Sequence, residues 1–102
     1  MSEWIVAATT DELKPGEAKI LTAGAREIAL FNVDGKFYAL DNACPHRGGP
    51  LGKGRLEDHE IVCPWHGWRF DVRSGVSPLF PTVSVDRFEV KVEGNEVKVK
   101  VR

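Results

Sequence analysis

Near the C-terminus, Phe88-Glu89-Val90-Lys91-Val92 and Val97-Lys98-Val99-Lys100-Val101 alternate apolar with charged residues around Gly94-Asn95. A period of two sends successive side chains to opposite faces of an extended strand, so this pattern predicts an antiparallel hairpin with one face in a core and one in water. A second hairpin is expected from Glu27-Ile28-Ala29-Leu30-Phe31-Asn32-Val33 and Lys36-Phe37-Tyr38-Ala39-Leu40, which flank Asp34-Gly35. Both turn residues tolerate positive φ, which a tight hairpin turn requires. Trp4-Ile5-Val6-Ala7 and Ala18-Lys19-Ile20-Leu21 read as further short strands. Helical signals are weak: Thr10-Asp11-Glu12-Leu13 can cap one turn, but Pro15 and Gly16 stop it at once. From about Asn42 to Gly75 the alternation gives way to Gly, Pro, Cys, His and Trp, a composition that makes loops. The expected architecture is all-β, a small barrel or sandwich carrying a loop-built insertion.

Composition narrows the function classes. The chain has 102 residues, enough for one core but not for a core plus a separate catalytic domain. Residues 1–102 are therefore read as one domain. Fourteen Lys and Arg against fifteen Asp and Glu leave a net charge of −1, so no broad positive field exists to gather nucleic acid or anionic lipid. Proteins are the expected partners. The start, Met1-Ser2-Glu3-Trp4-Ile5, lacks the basic segment and apolar run of a secretory signal, and no stretch is long enough to span a bilayer. A cytoplasmic location is expected, where two cysteines are better read as ligands or reactive groups than as a structural disulfide.

The distinctive chemistry lies in Cys44-Pro45-His46-Arg47-Gly48-Gly49-Pro50-Leu51 and Cys63-Pro64-Trp65-His66-Gly67-Trp68. Together they read CxH, sixteen residues, CxxH. Each segment offers one thiolate and one imidazole, so two facing loops can present two sulfurs and two nitrogens. That division suits an asymmetric two-iron cluster with Cys₂ on one iron and His₂ on the other. Cys₂His₂ is also a tetrahedral zinc set. Zinc modules usually pair like with like, whereas here both pairs are mixed and one spacer is a single residue. Spacing therefore favours the iron-sulfur site, with zinc and a disulfide or uncommitted cysteines left open.

The two segments, CPHRGGPL and CPWHGWRFD, resemble the cluster-binding boxes of Rieske proteins. The boxes cover roughly residues 43 to 71, and the order of the flanking strands extends the resemblance over the chain. It implies a Rieske-like β-barrel or sandwich base with a small loop-built cluster-binding subdomain. It also implies one [2Fe-2S] cluster, with Cys44 and Cys63 on the inner iron and His46 and His66 on the outer iron. Gly48, Gly49 and Gly67 would let backbone amides approach the cluster sulfurs. Membrane-bound respiratory members carry two further cysteines that tie the loops together, and the matching positions here are Gly49 and Trp65. The Ser and Tyr hydroxyls that those members place against the sulfurs are matched by Trp68 and Phe70. Fewer donors imply a potential near the low end for Rieske centres, about −150 mV.

The resemblance implies a soluble ferredoxin, an electron carrier and not itself an enzyme. Rieske oxygenases add a catalytic domain with a two-His, one-carboxylate iron site, and only His59 remains here outside the ligand set. A reductase is the implied donor and a terminal oxygenase, such as an aromatic-ring dioxygenase, the implied acceptor. The alternatives are the small Rieske-like subunit of an assimilatory nitrite reductase and a zinc-stabilised or cluster-free structural subunit.

Other features have plainer readings. His59, among Leu56-Glu57-Asp58-His59-Glu60, is expected in a solvated turn. Trp65 and Trp68 are expected to roof a small core, with cluster shielding or partner contact as the alternative. Pro78 and Pro81 resemble the proline-containing loop that covers the cluster in this family. Arg47, Lys53, Arg55 and Arg69 either form a positive rim for an acidic partner or are scattered solvated charges. Gly48-Gly49 lacks the Lys-Ser/Thr signature and helix context of a phosphate loop.

Overall fold

The computed structural model describes residues 3–45, 48–65 and 67–101. Among the described residues ten strands run in the order β1 (Trp4–Thr9), β2 (Ala18–Ala23), β3 (Arg26–Val33), β4 (Lys36–Asp41), β5 (Arg55–Glu57), β6 (Glu60–Val62), β7 (Arg69–Asp71), β8 (Arg87–Phe88), β9 (Val90–Glu93) and β10 (Glu96–Lys100). A 3₁₀ turn, Leu51–Lys53, precedes β5. The pairings are antiparallel and make three sheets, β1-β10-β9, β2-β3-β4-β8 and β5-β6-β7. The expected all-β architecture is thus observed. Thr10–Leu13 forms a turn, not a helix, with the Thr9 amide donating to the Glu12 carboxylate at 2.8 Å.

Strand β3 organises the molecule. Ile28 through Val33 are all buried, which explains a nearly continuous apolar run where a half-buried strand would alternate. Ala29, Phe31 and Val33 face one core with Leu40, Cys44, Leu51, Ile61, Cys63 and Phe70. Ile28 and Leu30 face the other with Ala7, Ala8, Leu13, Ala39, Phe88, Val97 and Val99. Burying each of the larger apolar side chains contributes roughly 1.5–3 kcal/mol. The β2-β3-β4-β8 sheet is therefore a central layer, with the terminal sheet on one side and the cysteine-bearing loops on the other.

Both predicted hairpins form. Asp34 and Gly35 take φ of 53° and 89° between paired Val33 and Lys36. Buried Asn32 braces this turn by accepting from the Gly35 amide at 2.8 Å and donating to the Leu13 carbonyl at 2.7 Å. On β10, Val97 and Val99 point inward while Lys98 and Lys100 pair outside with Glu93 and Glu89. The register of β1 against β10 shifts between Val6 and Ala8, a bulge that lets both Ala7 and Ala8 face the interior.

The insertion is not built from loops alone. Strands β5, β6 and β7 form a three-stranded sheet within the region expected to be irregular. Each has only three residues, too few to show a period. Leu56, Ile61 and Phe70 align in one row across the sheet and pack inward. Arg55, Glu57, Glu60 and Arg69 lie in the neighbouring rows. The register brings them into ion pairs, Arg55–Glu57 at 2.6 Å, Arg69–Glu57 at 2.7 Å and Arg69–Glu60 at 3.3 Å.

Candidate metal centre

Two short loops carry the cysteines. In the first, Ala43 and Pro50 bridge across the base, the Cys44 amide donates to the Gly49 carbonyl at 2.9 Å, and the Gly48 amide donates to the Cys44 carbonyl at 2.6 Å. In the second, which tips the β6–β7 hairpin, the Cys63 amide donates to the Trp68 carbonyl at 2.7 Å. Each cysteine therefore sits at the closed base of its loop. Gly48 and Gly67 turn the chain at φ of 73° and 72°, a region that side chains with a Cβ disfavour.

Both thiols are buried, Cys44 at 1% and Cys63 at 2% exposure, and neither is in a disulfide. They lie close enough to interact with each other. Burial pushes the Cys63 thiol above its ordinary pKa, and the Cys44 thiol beside it acts in the same direction, while a hydrogen bond to the Trp65 backbone opposes them. Gly49 supplies the space between the loops: a Cβ there would lie 2.9 Å from Cys63 Sγ and 3.0 Å from Trp65 Cγ. Gly49 and Trp65 are the positions matched to the tying cysteines of membrane-bound Rieske proteins, and here they meet as a glycine against an indole face. His46, Arg47 and His66 lie outside the described residues.

The loops are braced from below. Buried Asn42 accepts from the Gly52 amide at 2.7 Å through Oδ1 and donates to Glu27 Oε1 at 3.3 Å, and its carbonyl accepts from the Leu51 amide at 2.8 Å. Residue 42 thus fixes both ends of the first loop to the central sheet. A third segment, Ser77 to Val83, comes from the other side. The Ser77 amide donates to the Val83 carbonyl at 3.0 Å, and the hydroxyl of buried Ser77 accepts from the Phe80 amide at 3.3 Å. This holds the Phe80 ring stacked on Trp68, with centroids 4.8 Å apart and planes at 26°. Sequence reasoning passed over Asn42, Ser77 and Phe80, because in a sequence they look like turn residues and one isolated aromatic.

The tryptophans divide: Trp68 packs against the core, whereas Trp65 is 49% exposed and lies with its ring against Gly49. His59 is half-buried and edge-on to Tyr38, with ring centroids 6.5 Å apart, so it is not the purely solvated turn residue expected. Of the four cations weighed as a rim, Arg55 and Arg69 are matched by Glu57 and Glu60, in line with the reading of them as solvated surface charges. Among the described residues no group of three or more His, Cys, Asp or Glu gathers as a metal site, so the described part of the centre is the cysteine pair. Two adjacent buried thiols without a disulfide, under a glycine-lined contact, fit a soft metal held by thiolates.

A sequence model of the Rieske [2Fe-2S] domain matches residues 3–99. The chain belongs to the Rieske [2Fe-2S] domain family. It is 38% identical over 99 residues to the ferredoxin component of the naphthalene 1,2-dioxygenase/salicylate 5-hydroxylase systems of Ralstonia sp, covering 96% of this chain and 95% of that one. A chain of a complex of reduced oxygenase and oxidized ferredoxin in carbazole 1,9a-dioxygenase superposes with a TM-score of 0.88 at 32% identity, over 95% of this chain and 92% of that one. A putative NADH-dependent nitrite reductase small subunit from Mycobacterium tuberculosis superposes with a TM-score of 0.91 over 98% of this chain and 96% of that one. At 24% identity that likeness shows the shared fold alone. One [2Fe-2S] cluster is the cofactor of this Rieske chain. Among the described residues no helix is long and apolar enough to cross a membrane.

Proposed function

We propose that this Rieske chain is a ferredoxin that takes one electron at a time from a reductase and passes it to the terminal oxygenase of an aromatic-ring dioxygenase system. The observation that carries the reading is the pair of buried, adjacent, unbridged thiols of Cys44 and Cys63 at the bases of two facing loops, in a chain with full-length ferredoxin relatives. Cys44 and Cys63 would hold one iron, and His46 and His66, two and three residues beyond them in CxH and CxxH, would hold the other. When bound, the cluster supplies a centre that accepts and releases a single electron. The chain's own residues do the rest. Gly49 gives the loops room to meet, Asn42 fixes the first loop to the central sheet, and Phe80 on Trp68 covers the flank of the second. Neither Trp68 nor Phe70 brings a hydroxyl to the sulfurs, which keeps the potential at the low end of the Rieske range.

Residues 1–102 act as one domain whose cluster-binding portion is approximately 43–71, and the chain works in the cytoplasm, where thiols stay reduced. The carrier reading predicts that purified protein, reduced and mixed anaerobically with the oxygenase component of a naphthalene 1,2-dioxygenase system, is reoxidised in step with reduction of that oxygenase. Failure of the loaded protein to exchange electrons with it would reject the oxygenase as acceptor. Transfer instead to a nitrite reductase large subunit would establish the other branch.

A further inference from the structure

Of the five exposed large apolar side chains among the described residues, Val6 and Val92 stand on β1 and β9 of the terminal sheet, and the other three lie on the loops around the cysteines. Trp65 is 49%, Leu79 66% and Phe80 50% exposed, and Pro64, Pro78 and Pro81 beside them are exposed as well. Trp65 belongs to the Cys63 loop, and Phe80 is stacked on Trp68 of that same loop. The segment from Ser74 to Val85 contains no charged residue, and the Cys63 to Trp68 loop has none apart from His66. Arg55 and Arg69 are compensated by Glu57 and Glu60, and Arg73 by Asp71, so the remaining cations near the centre, Arg47 and Lys53, belong to the Cys44 loop and the turn after it and not to the Trp65 and Pro78–Pro81 loops.

Such a patch is apolar by construction, and Leu79 has no fold-level reason to stand in water. Its three large side chains expose roughly 400 Å², the size of patch that is commonly functional on a monomer. That is about half of what each partner contributes to a standard stable interface, so a permanent pairing of two copies is poorly served, whereas weak electron-transfer encounters are of this small size. Its charge character selects the partner's: an uncharged face desolvates cheaply only against another uncharged face.

We infer that Leu79, with Phe80 and Trp65, is the anchor by which this chain docks on its oxygenase, in an uncharged apolar recess at the site of electron entry, and that charge steering contributes little. The inference rests on the ferredoxin reading above. It assigns recognition to the Pro78–Pro81 loop, which contributes none of the four ligands. Recognition and redox properties are therefore separable by substitution.

Surface plasmon resonance of the cluster-loaded protein over the immobilised oxygenase component of a naphthalene 1,2-dioxygenase system tests this, alongside the EPR spectrum and potential of each variant. Leu79→Ser is expected to bind about tenfold more weakly, equivalent to about 1.4 kcal/mol, with spectrum and potential unchanged. Leu79→Met, which keeps the apolar volume, is expected to retain wild-type affinity. Between about 0.05 and 0.5 M salt the wild-type Kd is expected to move less than about threefold. Unchanged binding by Leu79→Ser, a steep salt dependence, or a change in oligomeric state of the free Leu79→Ser chain would each overturn the inference while the carrier reading stood. Loaded wild-type protein that neither binds nor reduces the oxygenase would overturn both.

Discussion

Gly48 and Gly49 are neighbours, but the structure gives them different reasons to be glycine, and the same substitution should therefore fail in two distinguishable ways. At Gly48 a Cβ meets nothing within 4 Å, and the constraint is φ of 73°. Ala there costs about 1 kcal/mol of backbone strain, and Asn, which tolerates this region, should recover most of it. At Gly49 the backbone is ordinary and the constraint is room. A Cβ would sit 2.9 Å from Cys63 Sγ, while ordinary contact begins at 3.4 Å, so the sulfur must retreat by about 0.5 Å. Trp65 Cγ, at 3.0 Å, blocks the other direction. Overpacking of this kind costs about 1–3 kcal/mol, and here it displaces a ligand. Gly49→Ala is expected to lower both denaturant stability and bound iron per chain, and Gly49→Asn to be worse. Gly48→Ala is expected to lower stability with iron nearly intact, and Gly48→Asn to restore it. Iron and sulfide assays with chemical denaturation read both quantities. A Gly49→Ala protein with full iron and wild-type stability, or a Gly48→Asn no better than Gly48→Ala, would refute the reasoning.

Two further predictions concern the supports of the loops. Asn42→Leu leaves the Gly52 amide without its acceptor and is expected to cost about 1–3 kcal/mol by denaturant titration, with faster iron loss on incubation with a chelator; unchanged iron retention would remove Asn42 from the bracing role. Glu57 is held below the usual carboxylate range by Arg69 first and Arg55 second, so its pairing supports the folded state above the unfolded pKa and is lost as pH falls below about 4.5 through the depressed value. Glu57→Gln is therefore expected to be less stable at neutral pH and to show a smaller loss of stability on acidification. Parallel stability-pH curves for the two proteins would contradict this.

The sequence was most legible where one face of a strand meets water. The β9–β10 alternation and the Asp34-Gly35 turn could be placed because period and turn chemistry agree there. Even β3, buried on both faces, was recognisable by its length and its flanking turns. Strands β5 to β7 were not, since Leu56, Ile61 and Phe70 become a row only through pairing between segments distant in sequence. The same register explains why Arg55 and Arg69 looked available for a partner: their acids are cross-strand or two residues away, and pairing is invisible until the strands are aligned. The cysteines could be picked out from their spacing with the histidines. The braces could not, because Asn42 and Ser77 act through backbone groups that any turn residue might have served.

The central claim is an iron pair held by two thiolates on one side and two imidazoles on the other. Pulsed EPR of anaerobically purified, dithionite-reduced protein, prepared with and without ¹⁵N-histidine, tests it most directly. The account predicts a [2Fe-2S] signal coupled to nitrogens of two histidines, one coupling lost in each of His46→Cys and His66→Cys, with no cluster in Cys44→Ser or Cys63→Ser. A colourless, zinc-containing protein, or a cluster signal without histidine nitrogen coupling, would contradict it.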